Sequence, residues 1–397
     1  MKKSASSTVI ITAVYLTGIA GTMAEFMVPP VMPLLTKHFR SSRTLESLLM
    51  GAFALAAMGA ALAAGRLANR LGTNRVASAG ILGLVLGTGL SWWAFDRTTM
   101  LGFLAARLVG GLGFGLISVA APAKISRQIR PPLLSRALAI WATWVPVGSL
   151  LMFLLGPRLM TARQMTPLSL AEWAIELVAA ILLGLTQDDP AEEPRPAKEP
   201  HPRGWVPAML FVGGAFASFT GQQFALSTWL STWLTHSFSF RLGEAGVIGA
   251  SASILGAVGN LAGGPFLGSR PKAWPFLGAA LLMSGCWLLV AMPNREVAVA
   301  GALTINLVGG LIPTLVFAAP RLVTRGALLA PAMAFVIVGE NLGILAGPLV
   351  DSALLGPSLD FPRAFRDLVI LGAVMTLAVG AFFLRQRRIP LADRRPT

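Results

Sequence analysis

The chain has 397 residues, of which 55% are hydrophobic and only 12% are charged, whereas a water-soluble domain normally carries about a quarter charged residues. This composition excludes a soluble multidomain enzyme. A helix needs about 20 apolar residues to cross a bilayer. Eight windows of roughly that length or more contain no charged residue and no histidine: 4–24, 47–65, 76–95, 137–157, 204–235, 245–269, 273–294 and 297–320.

Four more apolar stretches are interrupted by a charge, at 99–121, 168–186, 327–350 and 364–384. Together the windows predict an all-α integral membrane protein with twelve transmembrane helices. With a cytoplasmic N-terminus, 21 basic residues fall on the cytoplasmic side, 10 fall outside, and Arg107 lies within the membrane. This positive-inside bias accounts for the formal charge of +15 and predicts that both termini are cytoplasmic. The expected location is a bacterial cytoplasmic membrane, and nucleic-acid binding is not expected.

The first predicted helix carries Glu25, followed closely by Pro29, Pro30 and Pro33. A buried carboxylate costs free energy unless it takes up a proton or meets a cation, and Arg107 is a candidate cation. Glu25 is therefore a predicted proton acceptor. The alternative is a static pair with Arg107, or a position near the outer headgroups.

The turn after the second predicted helix reads Gly65-Arg-Leu-Ala-Asn69-Arg70-Leu-Gly72-Thr-Asn-Arg75. Glycines permit a tight cytoplasmic turn, and arginines can meet the carbonyl groups at helix C-termini. The alternative is a basic turn that only obeys the positive-inside rule. A degenerate copy, which ends at Arg270, follows the eighth helix.

The fourth predicted helix reads Arg107-Leu-Val-Gly-Gly111-Leu-Gly113-Phe-Gly115. Its glycines form a surface that a neighbouring helix can approach closely. An intramembrane arginine costs about 3 kcal/mol or more, so Arg107 is expected to face a cavity or a partner, with snorkelling as the alternative.

The fifth and sixth predicted helices add aromatic and acidic candidates. Trp141 and Trp144 lie inside the fifth helix and either line a cavity or pack in the core. Glu172 and Glu176 are four residues apart on one face of the sixth helix, near its outer end. We expect these two carboxylates to form an interfacial pair.

Residues 187–204 form the long polar segment of the chain and contain five prolines, which indicates an extended cytoplasmic linker. It separates six helices in 1–186 from six in 205–390, with a cytoplasmic tail at 391–397. The two halves match at a shift of 198–199, which indicates parallel repeats with a substrate site between them at the bilayer midplane. Arg107–Leu112 matches Asn306–Leu311, Ala120–Pro122 matches Ala318–Pro320, Arg127 matches Arg325, Glu25–Phe26 matches Gln223–Phe224, and Gly65 matches Gly263.

The second half contributes polar candidates for the pathway of substrate and protons. Glycines at every fourth position of the eleventh helix, from Gly339 to Gly347, predict a groove for a neighbouring helix. Helix-to-helix hydrogen bonds are the alternative explanation for the polar set, which consists of Gln222, Gln223, Asn306, Glu340 and Asn341.

Catalytic and cofactor motifs do not occur in the sequence. The three histidines are far apart, the single cysteine, Cys286, lies within an apolar window, and no metal or phosphate-binding pattern is present. We therefore expect no enzyme activity, no metal and no cofactor, and energy supplied by an ion or solute gradient.

With these motifs, the chain resembles the major facilitator superfamily of secondary transporters over essentially its whole length. The turn resembles the family pattern Gly-x-Leu-Ala-Asp-Arg-x-Gly-Arg-Lys/Arg, although Asn69 replaces the aspartate and Thr73 replaces a basic residue. The fourth helix resembles the family pattern Arg-x-x-x-Gly-x-Gly. The resemblance implies two six-helix bundles with pseudo-two-fold symmetry. It also implies a conformational latch formed by Gly65, Asn69, Arg70, Gly72, Arg75 and Arg270.

The resemblance further implies that the chain moves a small organic solute by alternating access, as a monomer in the lipid bilayer. Several multidrug exporters of the family carry an acidic residue on the first helix, which favours proton-coupled export with Glu25 as the proton acceptor. Uptake or exchange of a small organic anion, with Arg107 binding a carboxylate, is the alternative. A membrane sensor or an intramembrane enzyme is less expected.

Overall fold

A computed structural model describes residues 6–186, 204–267, 271–324, 328–356 and 358–389. Within these ranges the chain is helical, and the extended pairing found there is an isolated bridge between Thr161 and Gln164. The helices of the first half are α1 (Ser7–Glu25), α2 (Met32–Phe39), α3 (Arg43–Leu71), α4 (Thr73–Asp96), α5 (Met100–Gln128), α6 (Pro131–Trp141), α7 (Trp144–Leu159) and α8 (Thr166–Gly184). Those of the second half are α9 (Trp205–Phe238), α10 (Leu242–Gly263), α11 (Ala273–Val290), α12 (Arg295–Gly309), α13 (Leu311–Val323), α14 (Leu329–Leu355), α15 (Phe361–Asp367) and α16 (Val369–Gln386).

Over its described residues, each of the twelve apolar windows overlaps one or two of these helices. Ten helical stretches among the described residues are long and apolar enough to cross a membrane, and α7 is a shorter apolar helix of 16 residues. The window at 204–235 falls on α9, which has 34 residues. The prediction of an all-helical membrane protein is confirmed.

Two predicted spans are interrupted where a proline follows the break. Pro146 lies in the first turn of α7 and Pro313 in the first turn of α13. A proline has no N–H to donate to the carbonyl group four residues earlier, so the preceding helix cannot continue through that point. The fifth span is therefore α6 followed by α7, and the tenth is α12 followed by α13.

By its internal contacts the chain divides into two compact units. Unit 1 consists of Met1–Pro194 with Ser227–Ile254, and unit 2 consists of Arg195–Leu226 with Leu255–Thr397. The division passes through α9 and α10. Residues 187–203 of the predicted linker and the predicted tail at 391–397 lie outside the described residues.

In unit 1, α5 packs against α3 on one side and α4 on the other. A side chain at Gly111 would collide with the backbone of Phe53 on α3, and one at Gly115 with the carbonyl oxygen of Ala57. On the opposite side, a Cβ atom at Gly113 would lie 2.8 Å from the backbone nitrogen of Leu84 on α4. The predicted glycine surface of the fourth span is confirmed.

In unit 2, α14 packs closely against the first part of α9. The backbone of Gly339 meets Gly213, and that of Gly347 meets Gly221, with no room for a Cβ atom at either α14 position. Gly343 approaches Ala217 and Thr220 in the same way. The predicted glycine groove is confirmed.

Candidate functional site

The site begins at the C-terminal end of α1, where the helix stops at Glu25. Pro29 cannot donate an N–H to the carbonyl oxygen of Glu25, and the chain turns into a short 3₁₀ segment at Pro29–Val31. The last carbonyl groups of α1 therefore need other donors. Arg107 on α5 supplies them: its Nη1 donates to the Ala24 carbonyl over 2.5 Å, and its Nη2 donates to the Glu25 carbonyl over 2.9 Å.

The guanidinium group of Arg107 is held from three sides inside unit 1. Its Nε donates to the carbonyl oxygen of Leu49 on α3 over 3.0 Å, and its Cζ lies 4.3 Å from the centroid of the Phe53 ring. The residue is only 3% exposed. Arg107 does not snorkel towards the membrane surface, because all of these partners lie within the bundle.

A small cavity adjoins Arg107, with room for about one water molecule. Its polar lining comes from Arg107 on α5, Glu172 on α8, and Thr88 and Ser91 on α4. Ala24 of α1 also lines it, so the cavity lies beside the carbonyl groups that Arg107 caps.

Glu172 and Glu176 do not form the expected interfacial pair, because both side chains are buried in unit 1. The opposite face of α8 is apolar and exposed, with Leu170, Leu177 and Ile181 each more than half accessible. An amphipathic helix in a bilayer turns its apolar face to the lipid, so the two carboxyl groups point inward to α1 and α4. The sequence analysis named both residues but placed them at the interface, although the apolar residues on the other face indicated burial.

The two carboxyl groups on α8 have different environments. Glu176 Oε1 accepts a hydrogen bond of 2.9 Å from Thr88 Oγ1 on α4. Neither oxygen of Glu172 has a hydrogen-bond partner among the described residues. Glu172 and Glu25 both lie within electrostatic reach of Arg107. The structure thus brings Glu25, Arg107 and Glu172 together in one buried cluster, which we call the charged cluster.

Trp141 and Trp144 belong to an aromatic stack that leads to this cluster. Trp141 stacks on Trp144 with ring centroids 4.8 Å apart, and Trp144 stacks on Phe114 at 5.5 Å. Phe114 contacts Phe53, whose ring lies next to Arg107. The stack fits against Gly18 of α1, where a Cβ atom would lie 2.7 Å from the Trp141 ring. Core packing explains both tryptophans.

In unit 2, Gln222 serves as a structural tie. Its Oε1 accepts a hydrogen bond of 2.7 Å from Trp287 Nε1 on α11, and its Nε2 donates to the Ser218 carbonyl. The side chain is fully buried. These hydrogen bonds within the bundle account for the polar side chain of Gln222 without a role in moving substrate or protons.

The other polar candidates of unit 2 are dispersed. Asn306 and Asn341 donate to carbonyl groups one turn earlier on their own helices. Gln223 is half-buried and lies beside Gly309, and Glu340 is half-buried on α14. In the described part of unit 2, these four side chains do not gather around a buried arginine, whereas Glu25 and Glu172 gather around Arg107 in unit 1.

Asp351 on α14 is a buried carboxyl group that sequence reasoning did not single out. Neither of its oxygens has a hydrogen-bond partner among the described residues. The apolar window predicted for this helix stops at residue 350, one residue before Asp351. No group of residues suited to a metal ion occurs in the described part of the chain.

Asn69 is the member of the predicted latch that accepts a hydrogen bond from an arginine outside that set. Arg127 Nη2 at the end of α5 donates a hydrogen bond to Asn69 Oδ1 over 2.5 Å. Asn69 therefore bonds to an arginine although its side chain carries no charge. Gly72 has φ 93° and forms the turn between α3 and α4. Gly65 does not form a turn, because α3 continues to Leu71. A Cβ atom at Gly65 would have open space around it. Arg70 and Arg75 are exposed, and Arg270 lies outside the described residues.

Comparison with known proteins agrees with this architecture. The family profile described as Major Facilitator Superfamily matches residues 14–330. A curated relative from Bacillus subtilis (strain 168), described as an uncharacterized MFS-type transporter, YceJ, is 26% identical over 341 residues, covering 82% of this chain and 85% of the relative.

Solved structures show the same fold at low sequence identity. A bacterial homolog of the human lysosomal transporter Spinster, in an inward-facing and unoccupied conformation, matches with TM-score 0.77 and 16% identity, covering 98% of this chain and 99% of that one. A D-xylose-proton symporter matches with TM-score 0.74 and 15% identity, covering 95% and 97%. The fold is therefore the twelve-helix, two-bundle arrangement of these transporters.

Proposed function

Because the chain belongs to the major facilitator superfamily, and is therefore a membrane transporter and not an enzyme, we propose that it exports a small organic solute in exchange for protons. In this proposal Glu25 accepts the proton. Arg107, which donates hydrogen bonds to the last carbonyl groups of α1, transmits the change in the charge of Glu25 to the end of that helix. Alternating access between the two bundles carries the solute across the membrane.

The observation that supports this proposal is the charged cluster. A buried arginine and two buried carboxyl groups are costly inside a membrane helix bundle, and such groups usually mark an ion or proton pathway. Packing alone does not require the carboxyl groups, because Arg107 is already bonded to three backbone carbonyl oxygens. A D-xylose-proton symporter with the same fold is consistent with proton coupling on this scaffold.

Uptake or exchange of an organic anion is the second candidate, and it needs Arg107 as an anion-binding group. The guanidinium group donates hydrogen bonds to three backbone carbonyl oxygens, and an anion would have to displace these acceptors. An ionised Glu25 would also repel an anion at this position. These contacts favour the proton-coupled function.

The two candidates are distinguished by flux into proteoliposomes. A thermal-shift screen of metabolites and drugs first identifies a solute that stabilises the purified protein. That solute is then added to vesicles with an imposed pH gradient of either direction. Antiport predicts accumulation only with an acidic lumen, because protons leave as the solute enters.

The imposed pH gradient sets the direction of proton flow whichever way the protein is inserted. Vesicles with mixed orientations of the protein therefore give the same result. Accumulation with an acidic exterior would indicate symport and overturn the export proposal. Exchange that is indifferent to both gradients would favour the organic-anion exchanger.

A further inference from the structure

The cavity beside Arg107 contains a carboxyl group that the export mechanism has not used. Glu172 is 2% exposed, lines the cavity, and accepts no hydrogen bond at either oxygen from the described residues. An ionised carboxylate buried without donors is strongly disfavoured, because it loses its hydration and gains nothing in exchange. The charged donor that lines the same cavity, Arg107, is directed at α1 and α3 instead.

We propose that Glu172 is a proton-binding site that decides where Arg107 donates its hydrogen bonds. With a proton on Glu172, the carboxyl group is neutral and Arg107 caps the carbonyl groups of Ala24 and Glu25, as the structure shows. When the proton leaves to water in the cavity, the carboxylate attracts the guanidinium across the cavity. Arg107 then releases α1, whose last carbonyl groups lose their donors.

The groups around Glu172 fit such a switch. On its own helix, Glu176 lies one turn away and its Oε1 accepts a hydrogen bond from Thr88. From α5 the charged neighbour is Arg107, which also lies within electrostatic reach of Glu25 on α1. Helix α4 presents the hydroxyl groups of Thr88 and Ser91.

The remaining neighbour of α8 does not interfere with the switch. Helix α7 carries Arg158, which donates back to the Leu154 carbonyl on its own helix. The cavity has room for about one water molecule, which is sufficient to accept or deliver the proton.

The inference rests on the proposed proton-coupled function for its role in transport, but proton binding itself is measured without any solute. The first experiment is infrared difference spectroscopy of the full-length protein in lipid, between acidic and alkaline buffer. The wild type is expected to show the carbonyl stretch of a protonated carboxylic acid that disappears at alkaline pH. Glu172→Gln is expected to remove one component of that signal and to leave the component of Glu25, whereas Glu296→Gln, at an exposed position on α12, retains both.

A spectrum of Glu172→Gln that superimposes on the wild type would overturn the inference. Loss of the signal in Glu25→Gln or Glu176→Gln, with Glu172→Gln unchanged, would equally overturn it and assign the proton elsewhere. None of these outcomes depends on whether a solute is exported, so failure of the inference is distinct from failure of the proposed function.

A second measurement uses the wild type and therefore does not depend on a variant folding. Hydrogen exchange of the peptide around Ala24 to Val28 is compared in acidic and alkaline buffer, at exposure times scaled to equal intrinsic exchange. Release of Arg107 from α1 is expected to speed exchange several-fold at alkaline pH, and Glu172→Gln is expected to abolish that increase. Equal protection of the wild-type peptide in the two buffers would contradict the switch.

Discussion

At the scale of single residues, the break in α1 explains why an arginine is buried at this depth. Pro29 removes the donor that would normally bond to the Glu25 carbonyl, and the turn that follows leaves the Ala24 carbonyl for a side chain. A buried carbonyl group without a donor costs about 1–3 kcal/mol. Arg107 satisfies both groups and the Leu49 carbonyl as well, so its burial is stabilised by geometry as much as by nearby charge.

Arg107→Ala is therefore expected to lower the melting temperature of the purified protein and to abolish transport. Three carbonyl groups lose their donor, at a cost of about 1–3 kcal/mol each. Arg107→Lys is expected to recover little of this loss, because an ammonium group lacks the planar fork that reaches several acceptors. Thermal unfolding in detergent measures the first effect, and an Ala variant as stable as the wild type would contradict the capping role.

The sequence predicted some members of the charged cluster and missed others, for a physical reason. Glu25 and Arg107 interrupt apolar runs far from their ends, so each is conspicuous on its own helix. Glu172 lies close to the N-terminal end of its helix, where an interfacial position was the simpler interpretation. Its burial depends on how α8 packs against α1 and α4, which periodicity alone does not specify.

At the scale of helices, small residues set the distances between the membrane spans of unit 1. Gly111 and Gly115 allow α3 to lie against α5, and Gly113 does the same for α4. Close approach of this kind is a common way for membrane helices to pack, since burying apolar surface gains little in lipid. The sequence predicted a glycine surface on this helix, but it did not predict which helices pack against that surface.

Two alanine substitutions test this packing with a matched control. Gly111→Ala places a methyl group against the backbone of Phe53, and the forced shift is expected to cost about 1–3 kcal/mol. Gly65→Ala lies in a helix with open space around it and is expected to be neutral or to stabilise by up to about 1 kcal/mol. Melting temperatures of the two variants give the comparison, and equal destabilisation would refute the account of α5 packing.

The hydrogen bond between Arg127 and Asn69 gives a second prediction at this scale. Asn69→Asp would convert it into an exposed ion pair, which is expected to raise stability by no more than about 1 kcal/mol. The gain is expected to fade at high salt, because exposed charges are screened. Thermal unfolding at low and high ionic strength measures it, with Asn69→Ala as the reference. If Asn69→Ala unfolds at the wild-type temperature, Asn69 does not stabilise this end of the bundle.

At the scale of the whole molecule, the two halves of the repeat differ in charge. The positions that correspond to Glu25 and Arg107 are Gln223 and Asn306, which are both neutral. Asn306 bonds to its own helix, whereas Arg107 reaches α1 and α3. The second half therefore keeps the helical framework of the repeat without the charged cluster, which is consistent with proton handling concentrated in unit 1.

The division between what the sequence predicted and what it did not follows from this asymmetry. The all-helical class, the apolar windows and the family pattern depend on composition and motifs along the chain and were predicted correctly. The polar residues of the second half were grouped with the site because they are polar within apolar helices. Gln222 shows why this was insufficient, since a hydrogen bond to Trp287 within the bundle satisfies it.

The central claim, proton-coupled export through Glu25, is tested most directly by solute accumulation in proteoliposomes with an acidic lumen. One pH unit supplies about 1.4 kcal/mol per proton, or roughly tenfold accumulation of a neutral solute exchanged for one proton. Wild type and the surface control Glu296→Gln are expected to reach this accumulation. Glu25→Gln is expected to retain downhill exchange of the solute but to show no pH-driven accumulation, because glutamine cannot carry the proton. Accumulation by Glu25→Gln equal to that of the wild type would contradict the claim.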